Sequence, residues 1–140
     1  MPETVVLDCS VAAKWVLPEP DGAPAIRLFD RYEAGEISLI APDLLLAEVA
    51  SLLAKRHRRK QISAEQARGA FEFMNRSAPR LVDTRPLLSR ALDLSLRNQM
   101  SLWDCVYLAL ALERGCPFLT ADRRLFRAGA GRHPSIRLIQ

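Results

Sequence analysis

The chain has 140 residues, of which 49% are hydrophobic and 26% are charged. This composition excludes a disordered chain, and the length fits one domain with a substantial core. No apolar run approaches the ~20 residues of a membrane span, and MPETVVLDCS has acids but no basic region, so no signal peptide is expected. The net charge of +4 is compatible with a polyanionic partner but does not identify one.

Three cysteines, Cys9, Cys105 and Cys116, stand in apolar surroundings. An odd number of apolar cysteines is typical of buried, reduced thiols. His57 and His133 have no metal-ligand spacing to these cysteines, so the sequence does not predict a zinc site. We therefore expect a cytoplasmic protein without disulfide bonds.

Short apolar runs alternate with longer amphipathic segments along the chain. The short runs predict strands at TVVLD, ISLIA, RLVDT, PFLT and IRLIQ. The longer segments predict helices at SVAAKWVL, 21–34, LLLAEVASLLAKRH (opened by Pro42), SAEQARGAFEFMN (capped by Ser63 with Gln66), LLSRALDLSLRNQ (opened by Pro86), LWDCVYLALALER, and a last helix opened by Arg123. Strands separated by helices indicate right-handed βαβ units with a parallel sheet. With no linker or repeat, residues 1–140 are expected to form a single α/β domain.

Two acids have an ordinary explanation as helix caps. Ser101 is a natural N-cap, and Asp104 completes the S-x-x-D spacing of a capping box. Asp122 follows Thr120 at the end of a predicted strand and can cap the helix opened by Arg123. Asp104, however, lies in an apolar run that must bury one wide face of its helix. A buried carboxylate costs several kcal/mol unless a cation meets it, so Asp104 needs a partner.

Four acids are expected to meet at one edge of the sheet. Asp8 ends the first strand, Asp122 follows a later one, and Asp104 and Glu48 lie early in their helices. Strand carboxyl ends and the following helix N-termini share the edge where α/β proteins bind ligands. Crowded carboxylates raise one another's pKa unless a cation intervenes, and oxygen-only ligands suit Mg²⁺ or Mn²⁺. Lys14 could neutralise one of these acids, but not all four.

The basic and aromatic residues allow more than one interpretation. KRHRRK, which ends a long predicted helix, is expected to be a solvated surface that complements the helix dipole. Arg123 and Arg124 directly follow Asp122, so they would lie on the rim of the acid cluster and could bind phosphates. Trp15 and Trp103 could stack on bases, but their helical spacing among Val and Leu predicts core positions.

VLDCS, the helix of Glu48, SLWDCVYLALA and LTADRRL occur in an order and spacing that resemble the PIN-domain ribonucleases. The resemblance covers nearly the whole chain and is strongest to the VapC toxins of type II toxin–antitoxin pairs. It implies a three-layer α/β/α PIN-like domain with a short central parallel sheet. It also implies that Asp8, Glu48, Asp104 and Asp122 form the catalytic, metal-binding cluster. The hydroxyl groups of Ser10 and Thr120 would support the metal and its waters.

The resemblance also implies an activity and partners. It predicts an endoribonuclease in which a metal-activated water attacks the phosphodiester bond in line, leaving 5′-phosphate and 3′-hydroxyl ends. A homodimer and a cognate antitoxin, which would occupy the cleft and an apolar groove near 15–29, are expected as well. Ser51 stands where many relatives have Asn, which would alter a hydrogen bond beside the cluster but not the acids.

Three other functions fit the sequence less well. A HAD-like phosphatase would need a second Asp two residues after Asp8, where this chain has Ser10. A response-regulator receiver would need paired acids near the first strand, which are absent. An inert PIN-like nucleic-acid or partner-binding module is disfavoured because none of the four acids has been neutralised.

Overall fold

A parallel five-stranded sheet organises the computed structural model of the protein, which describes residues 2–140. The strands are β1 (Glu3–Leu7), β2 (Ile37–Pro42), β3 (Arg80–Val82), β4 (Phe118–Thr120) and β5 (Ile136–Leu138). The helices are α1 (Cys9–Val16), α2 (Ala23–Glu33), α3 (Leu44–Arg58), α4 (Ala64–Ser77), α5 (Leu88–Arg97), α6 (Leu102–Arg114) and α7 (Arg123–Gly129), with a 3₁₀ turn at Arg85–Leu87. The predicted α/β class and the alternation of strands and helices are confirmed.

The strand order is β3-β2-β1-β4-β5, and every pairing is parallel. Val6 of the central strand pairs with Ile40 on one side and with Phe118 on the other. The chain winds outward from β1 to β3 and then returns to place β4 against the other side of β1. The order of strands therefore reverses between β1 and β4, which is where open α/β sheets form a crevice at their carboxyl edge.

Helices cover both faces of the sheet. Helices α1, α3 and α4 pack together, and α2 packs against α1 and β2, whereas α5 and α6 pack on each other with α6 against β1 and β2. Right-handed crossovers require this division, because the chain crosses the sheet in opposite directions before and after β3. Residues Cys105–Ala111 of α6 are all buried between α5 and the sheet. The ring of Tyr107 stacks on Phe118 with 5.8 Å between ring centroids.

Several predicted helix ends are confirmed. Ser63 and Gln66 form a complete capping box at α4. Ser101 caps α6 by accepting the Asp104 N–H at 3.1 Å. Gly115 ends α6 in the left-handed conformation, at a φ of 60° that glycine adopts without strain.

Other sequence predictions were wrong in detail. Pro42 ends β2 rather than opening α3, because strand pairing continues past it: Pro42 pairs with Val82, and the N–H of Asp43 donates to the Val82 carbonyl at 2.8 Å. Pro86 lies in the 3₁₀ turn that precedes α5 rather than at the start of that helix. None of the helices within residues 2–140 has the length and hydrophobicity needed to cross a membrane.

The two tryptophans differ in burial. Trp15 is half-buried, donates to the Ala25 carbonyl at 2.9 Å and packs against Phe29 and Tyr32, as predicted for a core residue. Trp103 is 53% exposed, so its predicted core position is wrong. It lies in the first turn of α6, before the segment of that helix that is enclosed by α5 and the sheet.

Candidate active site

Asp8 lies at the carboxyl end of β1 and is only 6% exposed. Its Oδ2 accepts a hydrogen bond from the Ser10 hydroxyl at 2.6 Å and another from the Thr120 hydroxyl at 2.7 Å. These bonds fix the orientation of the carboxylate without neutralising its charge.

The two hydroxyl groups also join the ends of neighbouring strands. The oxygen of Ser10 accepts the Ala121 N–H at 2.9 Å, and the oxygen of Thr120 accepts the Asp122 N–H at 3.0 Å. Ser10 is in the first turn of α1, whereas Ala121 and Asp122 follow β4. The network therefore holds the backbone that carries Asp122 beside the end of β1.

Asp122 and Asp104 each lie at the start of a helix. Asp122 caps α7, with its Oδ1 accepting the N–H groups of Arg124 at 2.9 Å and Leu125 at 3.3 Å. Asp104 is in the first turn of α6, where a negative charge also complements the helix dipole. Only the Ser101 half of the predicted capping box is present at α6, so the Asp104 carboxylate is not used to cap its own helix.

Glu48 reaches the same region from the first half of α3. Its Oε1 accepts a hydrogen bond from the hydroxyl of Tyr107, a fully buried residue on α6. This bond crosses from one helical layer to the other at the edge of the sheet. The sequence interpretation missed Tyr107, although its position three residues after Asp104 places both side chains on one face of α6.

The acids perturb one another's ionisation. Burial raises the pKa of Glu48 to about 7, and repulsion by Asp8 and Asp104 adds to this effect against the hydrogen bond from Tyr107. Burial also raises the pKa of Asp104 to about 6, with repulsion by Asp8 and Asp122 adding to it. The pKa of Asp8 is raised mainly by burial, which outweighs its two hydroxyl partners. The four carboxyl groups thus share one electrostatic environment.

No side-chain cation within residues 2–140 lies within 4 Å of these four carboxylates. Lys14, which could have neutralised one of them, instead pairs with Glu19 at 2.7 Å and Asp21 at 2.8 Å. Arg56, part of the basic segment predicted to be solvated, also pairs with Glu19. The repulsion among the four acids is therefore not relieved by the protein itself.

The donor set fits a hard divalent cation, because all four side chains offer carboxylate oxygens. As the side chains stand, no three Asp, Glu, His or Cys residues in the described part of the chain are close enough to enclose one ion. A cation bound by three of these side chains would require the carboxylates to move closer together.

Arg123 and Arg124 are exposed in the first turn of α7, directly after Asp122. Neither forms an ion pair with a carboxylate among the described residues.

The cysteines are all free thiols, with Cys105 buried and Cys9 and Cys116 partly buried.

Comparisons with known proteins agree with this architecture. The family model of the PIN domain matches residues 5–131. Ribonuclease VapC1 of Mycobacterium tuberculosis, in strains CDC 1551 and H37Rv, is 35% identical over 124 residues, which are 86% of this chain and 90% of the relative. Among solved structures, PAE2754 from Pyrobaculum aerophilum matches with a TM-score of 0.66 at 20% identity, covering 91% of this chain and 86% of that one.

A second solved structure is VapC20 of Mycobacterium tuberculosis, described as a toxin that cleaves the sarcin-ricin loop. It matches with a TM-score of 0.65 at 19% identity, covering 89% of this chain and 95% of that one. At such identities the two structures support the fold alone, whereas the family match and the 35% identical ribonuclease extend over most of the chain. The chain belongs to the PIN-domain family, among the VapC ribonucleases.

Proposed function

We propose that this protein is a divalent-metal-dependent endoribonuclease that acts as the toxin of a toxin–antitoxin pair. The observation that carries the proposal is a set of carboxylates at the crevice of the sheet that no side-chain cation of residues 2–140 compensates. Its relatives named ribonuclease VapC1 support RNA as the substrate.

Each residue of the site has a proposed role. Asp8, Glu48, Asp104 and Asp122 would hold Mg²⁺, for which Mn²⁺ could substitute. A bound divalent cation activates water and neutralises charge on a phosphodiester. Ser10 and Thr120 keep Asp8 oriented through their bonds to Oδ2, and the hydroxyl of Tyr107 does the same for Glu48.

The arginines that follow Asp122 are proposed to bind RNA. Arg123 and Arg124 are exposed, start the helix that Asp122 caps, and are not engaged by a carboxylate of the described chain. Their guanidinium groups can therefore bind phosphates of an RNA strand. The neighbouring phosphodiester of that strand would lie at the acid cluster.

Cleavage of single-stranded RNA by the purified protein tests the activity. We expect cleavage with Mg²⁺ or Mn²⁺ and none in excess EDTA. Asp8→Asn, purified in parallel, controls for contaminating nuclease, and Glu19→Gln, which changes an acid outside the cluster, should cleave normally. Cleavage that persists in EDTA, or that Asp8→Asn retains, would contradict the metal-dependent mechanism. RNA binding without any cleavage would instead indicate an inert binding module.

The proposed partners require separate tests. Expression of the protein alone should slow growth, and coexpression of a small protein encoded beside it should restore growth by binding tightly. Harmless expression of active protein in a close relative of the source organism would contradict the toxin role while leaving the nuclease activity standing. The proposed homodimer is tested by the sedimentation coefficient of the purified chain, which should be that of two copies.

A further inference from the structure

A large aromatic side chain lies exposed beside the acid cluster. Trp103 immediately precedes Asp104 in α6 and is 53% exposed. Its indole N–H donates to no acceptor within residues 2–140, in contrast to the indole of Trp15, which bonds to the Ala25 carbonyl. An exposed ring of this size is costly to leave in water, so its position next to a carboxylate of the site needs an explanation.

Trp103 forms one wall of a groove of about 430 Å³ that runs along α3. The polar residues of that groove are Glu48, Ser51 and Lys55. Their spacing of three and four residues puts them in one row on the helix, and Glu48 and Lys55 are about 10 Å apart along its axis, at 1.5 Å per residue. The groove therefore begins at the acid cluster and ends at a cation.

The charges at the two ends of the groove suit a nucleotide chain. Lys55 is exposed and has no carboxylate within 4 Å among the described residues. Glu48 repels a phosphate, whereas Lys55 attracts one, so a strand in the groove would place a phosphate at the Lys55 end. The remaining lining residues of the groove are apolar: Leu44, Ala47 and Leu52, together with the Trp103 indole.

We propose that Trp103 and Lys55 form a nucleotide-binding subsite for single-stranded RNA beside the scissile bond. Trp103 stacks on an unpaired base, and Lys55 binds an adjacent phosphate. The inference rests on the proposed ribonuclease function and extends it, because it names residues other than Arg123 and Arg124 that position the strand. Stacking on an indole tolerates every base, so this subsite selects unpaired strands rather than a particular sequence.

Other exposed apolar residues do not carry the same inference. Leu88, Leu92 and Leu96 form a row on α5, but nothing in residues 2–140 indicates what would cover it. This row instead provides a matched control, because Leu92 is also 53% exposed.

The base-stacking role is tested by binding measurements in EDTA, where no cleavage is expected. The probes are a fluorescein-labelled ten-nucleotide single-stranded RNA and an abasic ribose-phosphate chain of the same length. We expect Trp103→Ala to weaken binding of the RNA by about ten-fold or more and to leave binding of the abasic chain unchanged. Trp103→Phe should bind RNA nearly as well as the wild type, and Leu92→Ala should bind both probes normally.

The phosphate-binding role of Lys55 has a different signature. Lys55→Gln should weaken binding of both probes and reduce the slope of log K against log salt by about 0.7 for a single-stranded ligand. Arg90→Gln, which removes an exposed cation from α5, should leave that slope unchanged.

The outcomes separate this inference from the function on which it rests. If the wild type cleaves RNA with Mg²⁺ but Trp103→Ala binds the RNA as the wild type does, the subsite is wrong and the nuclease stands. A Trp103→Ala variant that weakens both probes equally, or that shifts the sedimentation coefficient, would assign the indole to contact with a second copy and overturn the inference. A wild type that neither binds nor cleaves RNA would overturn both proposals.

Discussion

Two groups of carboxylates are accommodated differently in this fold. Glu19 and Asp21 meet the Lys14 ammonium, whereas Asp8 accepts hydrogen bonds from the Ser10 and Thr120 hydroxyl groups. The Lys14 ammonium bonds to Glu19 at 2.7 Å and to Asp21 at 2.8 Å, and these partners hold the pKa of both acids below the ordinary values. At the crevice the pKa values of Asp8, Glu48 and Asp104 are all raised, because the groups are buried and face one another.

The two groups of acids contribute differently to the stability of the protein without a bound ligand. The acids around Lys14 are compensated within the chain and tie the segment after α1 to α3 through Arg56. The acids at the crevice oppose folding in the ionised state, since burial and repulsion are not offset by a protein cation. Perturbed pKa values cluster at functional sites. We therefore propose a catalytic role for the crevice acids and only a stabilising role for the acids around Lys14.

The largest expected effect is the loss of cleavage in Asp8→Asn. The substitution keeps the shape of the side chain but removes the charge at the centre of the cluster, so the rate should fall by roughly hundred-fold or more. Glu19→Gln should keep the wild-type rate and lose about 1 kcal/mol or less of stability, because its ion pairs are partly exposed. Cleavage rates and urea unfolding of the two variants test both expectations. Equal cleavage rates would contradict the proposed distinction between the two groups of acids.

Tyr107→Phe should weaken metal binding without destroying the fold. It removes the donor that holds Glu48 but keeps the ring that stacks on Phe118. We expect the half-saturating Mg²⁺ concentration to rise about ten-fold, with a smaller change in the rate at saturating Mg²⁺. Titration calorimetry gives the same affinity without turnover. Wild-type Mg²⁺ binding by a folded Tyr107→Phe would mean that Tyr107 only fills the core.

The stability of the metal-free protein should depend on pH through the crevice acids. The pKa of Glu48 is raised from 4.5 to about 7, so between these values the folded chain binds more protons than the unfolded chain. The stabilisation that comes from protonated Glu48 is therefore complete below the pKa of the unfolded chain. It is lost as the pH rises through the pKa of the folded chain. In EDTA, the melting temperature of the wild type should fall from pH 5 to pH 7.5 more steeply than that of Glu48→Gln. Parallel pH profiles would contradict the raised pKa.

The smallest effect is expected from the rim arginines. Replacing Arg123 and Arg124 together with Ala should reduce RNA affinity and flatten its salt dependence by roughly 0.7 per lost phosphate contact. Because both side chains are exposed, the melting temperature should barely change. An unchanged slope of log K against log salt would identify them as ordinary surface cations.

Local sequence patterns predicted most of the fold. The short apolar runs became strands, the capping box at Ser63 formed in full, and Ser101 formed the N-cap of α6 without the second half of its box. The placement of Asp8 and Asp122 at the same edge of the sheet also followed, since helices between strands indicate parallel pairing.

Contacts between distant segments were not predictable in the same way. The bond between Tyr107 and Glu48 joins residues 59 positions apart and depends on how α3 and α6 approach each other. The exposure of Trp103 was missed because an apolar pattern does not show where a helix leaves the sheet that covers it. The actual partners of Lys14 were not predicted, since it is the segment after α1 that brings Glu19 and Asp21 to it.

We propose that Asp104 belongs to the acid cluster at the crevice and is not merely the acid of a helix start. The direct measurement is thermal unfolding of wild type and Asp104→Asn at pH 7, with EDTA and with Mg²⁺, beside the cleavage assay. Since the substitution removes a repelled charge, the metal-free variant should melt at least as high as the wild type, gain less from Mg²⁺ and lose cleavage. A variant that melts lower in EDTA, yet keeps the wild-type Mg²⁺ shift and cleavage, would show that Asp104 only stabilises its helix and that the site lies elsewhere.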